Sequence, residues 1–218
     1  MAISERQAPD ALLLLATGCA HCPAVLEGLS QLLKQGSIGR LEVINIVEHP
    51  EAAQAVGTRS VPWTRIGSFE LAGSLSPAEL ARWVELATSD QGFTAYYSHL
   101  LETQQPHQVT SSLEKRPETL PQLITLLASS DTPMTARIGI GVVLEELEGS
   151  APIKQALPDL TDLAHSEHPN IRADAAHFLG LTHLQAASAI LQELSKDANP
   201  DVREIAADSI KMLRNEEK

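Results

Sequence analysis

The spacing of apolar residues changes once along this chain, near residue 88, and the two halves obey different rules. In the first half, short continuous apolar runs alternate with helical spacing. Ala11-Leu12-Leu13-Leu14-Leu15-Ala16 is the length of a buried strand. Val25, Leu26, Leu29, Leu32 and Leu33 then recur on a helical period, with Pro23 suited to the first turn and Gly36 as a stop. Leu41 to Val47 reads as a second buried strand, and a short helix from Pro50 to Val56 ends at Gly57. Two short strand-like runs follow, Trp63 to Ile66 and Phe69 to Ala72, joined by Gly67-Ser68. A helix opening at Ser76, with Pro77 first and Glu79 in its first turn, carries Leu80, Trp83, Val84 and Leu86. The predicted order is β-α-β-α-β-β-α, in which the strand–helix–strand units imply parallel pairing and the hairpin adds antiparallel strands.

After Thr88 no strand pattern remains, and leucine and alanine recur on helical periods to the end. Pro169-Asn170-Ile171-Arg172-Ala173-Asp174-Ala175-Ala176 returns as Pro200-Asp201-Val202-Arg203-Glu204-Ile205-Ala206-Ala207, 31 residues later. A weaker copy, Asp131 to Gly139, precedes them. Proline in the first turn, a β-branched residue, arginine and then small residues describe a helix packed closely on its neighbours, and stacked helix pairs are the solution when no single repeat buries its own apolar face. These segments resemble HEAT-like repeats. The expected layout is therefore α/β plus all-α: residues 1–89, a capping helix and connection over 90–116, and a HEAT-like α-solenoid of three helix pairs over 117–218.

The chain has two cysteines, and they stand together as Cys19-Ala20-His21-Cys22 between the first strand and the first helix. There the first sulfur meets free backbone N–H groups and the positive end of the helix dipole, which favour a thiolate, the form that attacks disulfides. Zinc normally needs four protein ligands, or three and an open position, and no second cysteine pair exists. A metal cluster shared between subunits is the minor alternative. His165, His168, His177 and His183 lack an H-x-x-x-H pair with carboxylate support, so no metal is assigned to them either.

Cys19-x-x-Cys22 after the first strand, Gly57…Val61-Pro62 before the hairpin and Gly73 ahead of the last helix together resemble a thioredoxin-fold domain over residues 10–88. With few residues before the first strand, it is closer in extent to glutaredoxins and to single units of two-domain protein disulfide oxidoreductases. The resemblance implies that Cys19 is the exposed nucleophile and Cys22 the resolving thiol, forming a redox-active Cys19–Cys22 disulfide with no other cofactor. It also implies that Pro62 is cis and lies against the disulfide, and that the backbone of Val61 pairs with an extended substrate. In the family a histidine before the second cysteine marks oxidases and isomerases, so His21 is assigned to stabilising the Cys19 thiolate. The sequence departs from thioredoxin at Leu13, where a buried acid is expected, and at Thr17-Gly18, which replace a tryptophan. Trp63, after the proline, is assigned to packing or covering the site.

Charge narrows the partners. Residues 1–89 carry six Lys/Arg against nine Asp/Glu, and the rest carry ten against nineteen, within a net charge of −12. That surface repels nucleic acid and anionic lipid. No apolar signal core precedes the first strand and no run reaches the ~20 residues of a membrane span, so a cytoplasmic protein is expected. Two functions fit: a thiol–disulfide oxidoreductase whose repeats recruit a protein client, or a protein-binding scaffold whose disulfide merely switches affinity.

Overall fold

The computed structural model describes residues 7–215. The chain divides into two compact units between Gly92 and Phe93, against an expected boundary at residue 89.

The first unit is built on a four-stranded sheet of order β2-β1-β3-β4. Strand β1 (Asp10–Leu15) pairs in parallel with β2 (Arg40–Asn45) and antiparallel with β3 (Trp63–Ile66), which forms a hairpin with β4 (Phe69–Ala72). Central placement explains the unbroken apolar run of β1: Ala11, Leu12, Leu13 and Leu14 are all buried, because both faces of the strand are covered. Leu12, Leu14 and Trp63 pack with Ala52 from helix α2 (Pro50–Ala55) and with its C-cap residue Val56 on one face. The alternate residues Leu13, Thr64, Ile66 and Leu71 are buried on the other. That face is covered by α1 (Cys22–Lys34) and α3 (Pro77–Ala87), which approach so closely that a Cβ on Gly28 would sit 2.7 Å from Leu80 Cδ1.

Local chemistry sets the helix ends. Helix α1 stops where Gly36 takes φ +74°. There the Gly36 N–H donates to the Leu33 carbonyl and the Ser37 N–H to Leu32, a Schellman pair. Helix α3 starts on a reciprocal cap: Glu79 N–H donates to Ser76 Oγ at 3.3 Å and Ser76 N–H to Glu79 Oε2 at 2.7 Å. The expectation of a buried strand at 41–47 is corrected. β2 is an edge strand that ends at Asn45, and Val43 is 40% exposed. Among the described residues no strand lies outside it, so its apolar residues are covered from fewer sides than those of β1.

The second unit is helical. It begins one residue into α4 (Gly92–Glu102) and continues with α5 (Pro106–Lys115), so the connection expected after the capping helix is a second helix, with Val109, Ser112 and Leu113 buried at helical spacing. Three pairs follow: α6 (Leu120–Ala128) with α7 (Met134–Glu146), the broken α8 (Ala151–Gln155) and α9 (Leu157–Leu163) with α10 (Pro169–Leu181), and α11 (Ser188–Leu194) with α12 (Pro200–Asn215). The repeated arginine has a repeated task. Arg137 donates to the carbonyls of Leu127 and Ser129, Arg172 to those of Ser166 and Glu167, and Arg203 to those of Asp197 and Ala198. Each therefore satisfies carbonyls left open where the preceding helix ends. Two also reach sideways, Arg137 to Asp174 at 2.6 Å and Arg172 to Asp197 through two bonds of 2.7 and 2.8 Å. The small residues mark close approaches: a Cβ on Gly180 would lie 2.9 Å from the Cβ of Ser209, and one on Gly139 2.7 Å from Leu101 Cδ2.

The four histidines singled out in the sequence do not converge. His177 meets Glu145, His183 meets Glu148, and His165 bonds the Thr161 carbonyl. Among the described residues there is no group of three side chains suited to hold a metal, and no helix is long and apolar enough to cross a membrane.

Candidate active site

The cysteine pair sits at the carboxyl end of β1. After Leu15 the chain turns through Gly18, at φ +83°, and enters α1 with His21 at the N-cap, Cys22 as the first helical residue and Pro23 next. The two sulfurs are joined, with S–S 2.11 Å and Cα atoms 5.5 Å apart. The partners are unequal. Cys19 is half-exposed, whereas Cys22 is 3% exposed. Cys19 Sγ accepts the Cys22 backbone N–H at 3.2 Å, one of the amides that the first turn of a helix leaves without an internal partner. No acidic residue lies in the first turn of α1 to oppose negative charge on that sulfur. His21 is exposed, and its side chain makes no capping bond.

Val61-Pro62 is the cis peptide of the chain's described residues. Its position follows from the sheet register. Trp63 pairs with Leu14, so Pro62 comes at the same end of the sheet as the turn that leads into Cys19. Pro62 is buried and its carbonyl accepts the Gly73 N–H at 2.9 Å, while Val61 is half-buried. Trp63 differs in kind from its neighbours. At 4% exposure it packs with Leu12 and Leu14, and Val61 rests against that cluster. It therefore supports Val61 from the interior and offers little surface of its own.

The sequence reading missed one residue at this edge. Asn45 Nδ2 donates to Thr17 Oγ1 at 3.1 Å, and Asn45 Oδ1 accepts the Val47 N–H at 3.1 Å. It ties the end of β2 to the turn two residues before Cys19. The available signal was a lone amide within the apolar run Leu41 to Val47. At the position of the absent acid, Leu13 is fully buried.

The family described as Thioredoxin domain matches residues 11–85, and the family described as HEAT repeats matches residues 120–211. No curated protein matches the chain at a significant level.

Proposed function

The chain joins a thioredoxin-like domain to HEAT repeats, and from that premise we propose that it is a protein thiol–disulfide oxidoreductase. The asymmetry of the cysteine pair carries the reading: a half-exposed Cys19 sulfur held by a helix N–H, beside a Cys22 that is 3% exposed. In the reduced form the Cys19 thiolate attacks one sulfur of a client disulfide. A Cys19–client bond forms and the second client sulfur leaves as a thiolate that takes a proton from water. Cys22 then loses its proton and attacks Cys19 Sγ. The Cys19–Cys22 bond forms, the client is released with two electrons gained, and the pair is left oxidised. Run backwards, the same steps oxidise a client dithiol. A protonated His21 beside the motif adds to the stabilisation of the Cys19 thiolate.

Val61 is assigned to holding an extended client segment by its backbone, with Pro62 closing the site and Trp63 supporting both. No cofactor beyond the disulfide is required. The HEAT repeats recruit or orient a protein client, in line with the general use of such stacks as binding surfaces. The reading sets the protein in the cytoplasm, where a C-x-x-C pair serves as a working couple.

The test uses the full chain. Catalytic turnover in insulin reduction or dithiol oxidation is expected of the wild type, none of Cys19→Ser, and stable mixed disulfides with clients of Cys22→Ser. Stoichiometric exchange without turnover would favour a redox-switched scaffold instead.

A further inference from the structure

Met134 and Ile138 are the two most exposed large apolar side chains among the described residues, at 70% and 62%. They stand one turn apart on α7, and Gly141 and Glu145 continue the same face. Apolar residues scattered singly over a surface need no explanation, but two stacked on one helix face form a patch. Gly141 adds to the case, because glycine in a helix interior weakens the helix relative to alanine. Gly139 and Gly180 answer to close neighbours, whereas a Cβ on Gly141 would meet nothing within 4 Å. The bare backbone there leaves a gap beside Ile138 that no described residue fills.

The repeats supply an internal control. Aligned on Arg137, Arg172 and Arg203, the inward positions agree: Ile140, Ala175 and Ala206 are buried, as are Val143, Phe178 and Ser209. The outward positions differ. Ile138 corresponds to Ala173 and Glu204, and Val142 to His177 and Asp208. The stack therefore accepts a charged residue where α7 presents isoleucine, so packing does not demand an apolar side chain there. The three helices are neighbours in order: Arg137 bonds Asp174, His177 bonds Glu145, and Gly180 meets Ser209. One face thus runs from apolar at α7 to acidic at α12, where Asp201, Glu204 and Asp208 are exposed. Lys211, bonded to Asp208, offsets one of these carboxylates.

Charge selects the occupant. Residues 90–218 carry ten Lys/Arg against nineteen Asp/Glu, so a second copy of this chain, an acidic protein or a nucleic acid is repelled. We propose that this face binds an extended segment of a protein client in which an apolar side chain is followed by Lys or Arg. The apolar side chain packs on Met134 and Ile138 at the gap left by Gly141, and the cations lie over Asp201 and Glu204. Two helix spacings separate the ends, roughly 16–20 Å, or about five or six extended residues. The proposal rests on the oxidoreductase reading and deepens it by naming the class of client that the repeats select.

The test uses the reduced full chain and a synthetic peptide in which Leu-Leu and Lys-Lys-Arg are separated by about five glycine or serine residues. Its single cysteine is capped by thionitrobenzoate, so attack of the Cys19 thiolate on that cysteine expels a coloured thiolate whose release gives the rate. Wild type is expected to react about tenfold faster with this peptide than with a version carrying serine for leucine or glutamate for the cations. In Met134→Ser/Ile138→Ser the leucine advantage should fall to within about twofold while the charge advantage persists. Glu204→Lys should cut the charge advantage about threefold and keep the leucine advantage, whereas Glu114→Lys, the same change of charge elsewhere on the helical unit, should alter neither. The symmetrical disulfide of the cap should react equally with every variant.

The inference is overturned if wild type shows no leucine advantage, if Met134→Ser/Ile138→Ser retains it, or if Glu204→Lys and Glu114→Lys act alike. Failure of the double variant to fold would also overturn it, because side chains this exposed hold no packing. A wild-type dimer that the double variant splits would assign the face to a second copy and overturn it too. A wild type inert toward the symmetrical disulfide removes the oxidoreductase reading along with this inference. Normal exchange with that disulfide and no leucine advantage removes the inference alone.

Discussion

Arg172 is the point at which the helical unit should break most easily. Its guanidinium makes two bonds to the Asp197 carboxylate and two to the carbonyls of Ser166 and Glu167. The side chains are 16% and 10% exposed, so neither group is replaced cheaply by water. Arg172→Met keeps most of the hydrocarbon stem and removes all four bonds. Deleting one partner of a fully buried pair costs about 3–5 kcal/mol. Asp197 retains the Asn199 N–H at 2.8 Å and some access to solvent, which lowers the expected cost to roughly 2–3 kcal/mol. The pair Arg40–Asp10 is an internal control, because at 71% and 55% exposure Arg40→Met should cost under about 1 kcal/mol. Urea unfolding separates the two units optically. Both tyrosines, Tyr96 and Tyr97, lie in the helical unit, and both tryptophans, Trp63 and Trp83, lie in the first. The tyrosine-reported transition of Arg172→Met should fall by the stated amount. A double-mutant cycle with Asp197→Asn should return a coupling of about 1–3 kcal/mol. A loss below about 1 kcal/mol, or a coupling near zero, would refute the claim that this pair staples adjacent repeats.

After reduction, Cys19 should react with iodoacetamide much faster than Cys22, because it is half-exposed and accepts a helix N–H while Cys22 is 3% exposed; equal rates would exclude the assigned roles. Gly180→Ala should destabilise the helical unit by about 1–2 kcal/mol despite better helix propensity, since the new methyl meets Ser209 Cβ at 2.9 Å. Gly141→Ala, where nothing lies within 4 Å, should instead stabilise it by up to about 1 kcal/mol, and thermal melts of the two variants make the comparison. The hydrogen bond from Arg172 holds the Asp197 carboxyl below its ordinary range, so its contribution is present above the unfolded value of about 3.9 and lost as pH falls through the lower folded value. Burial acts oppositely on Asp174, raising its pKa against the pull of Arg137, so ionised Asp174 costs stability at neutral pH and that cost is relieved on acidification. Acid titration of stability should therefore flatten below about pH 4 in Asp197→Asn.

What the sequence made legible was whatever depends on neighbours along the chain. The run Ala11 to Leu15 announced a strand, Ser76-Pro77-x-Glu79 a helix start, and Gly36 a helix stop, and each is decided within a few residues. Leu41 to Val47 looked like a buried strand because five of its seven residues are large and apolar. Burial of β2 depends on what lies beyond it, and the sheet order puts it at an edge. Helix α5 was hidden because Val109 and Leu113 are its only large apolar residues, and its remaining positions read as a polar connection. At the site, the spacing of Cys19 and Cys22 was plain, but Asn45 was not. Its bond to Thr17 spans 28 residues and exists only because β1 and β2 end together. The repeated arginine was visible as a letter, while its partner Asp197 lies 25 residues from Arg172.

The arginine hooks make each helix pair a closed mechanical step. Each guanidinium reaches carbonyls only five to ten residues upstream, so the bond that shuts a repeat belongs to that repeat. Duplication or deletion of one helix-pair step then leaves the hooks of the others intact, and only the links between steps, such as Arg137–Asp174, Arg172–Asp197, His177–Glu145 and His183–Glu148, have to be remade. Over descent, or on the bench, the length of the helical surface becomes a quantity adjustable in whole steps. The geometry around Cys19 and Cys22 is set by a separate stretch of chain and is inherited unchanged.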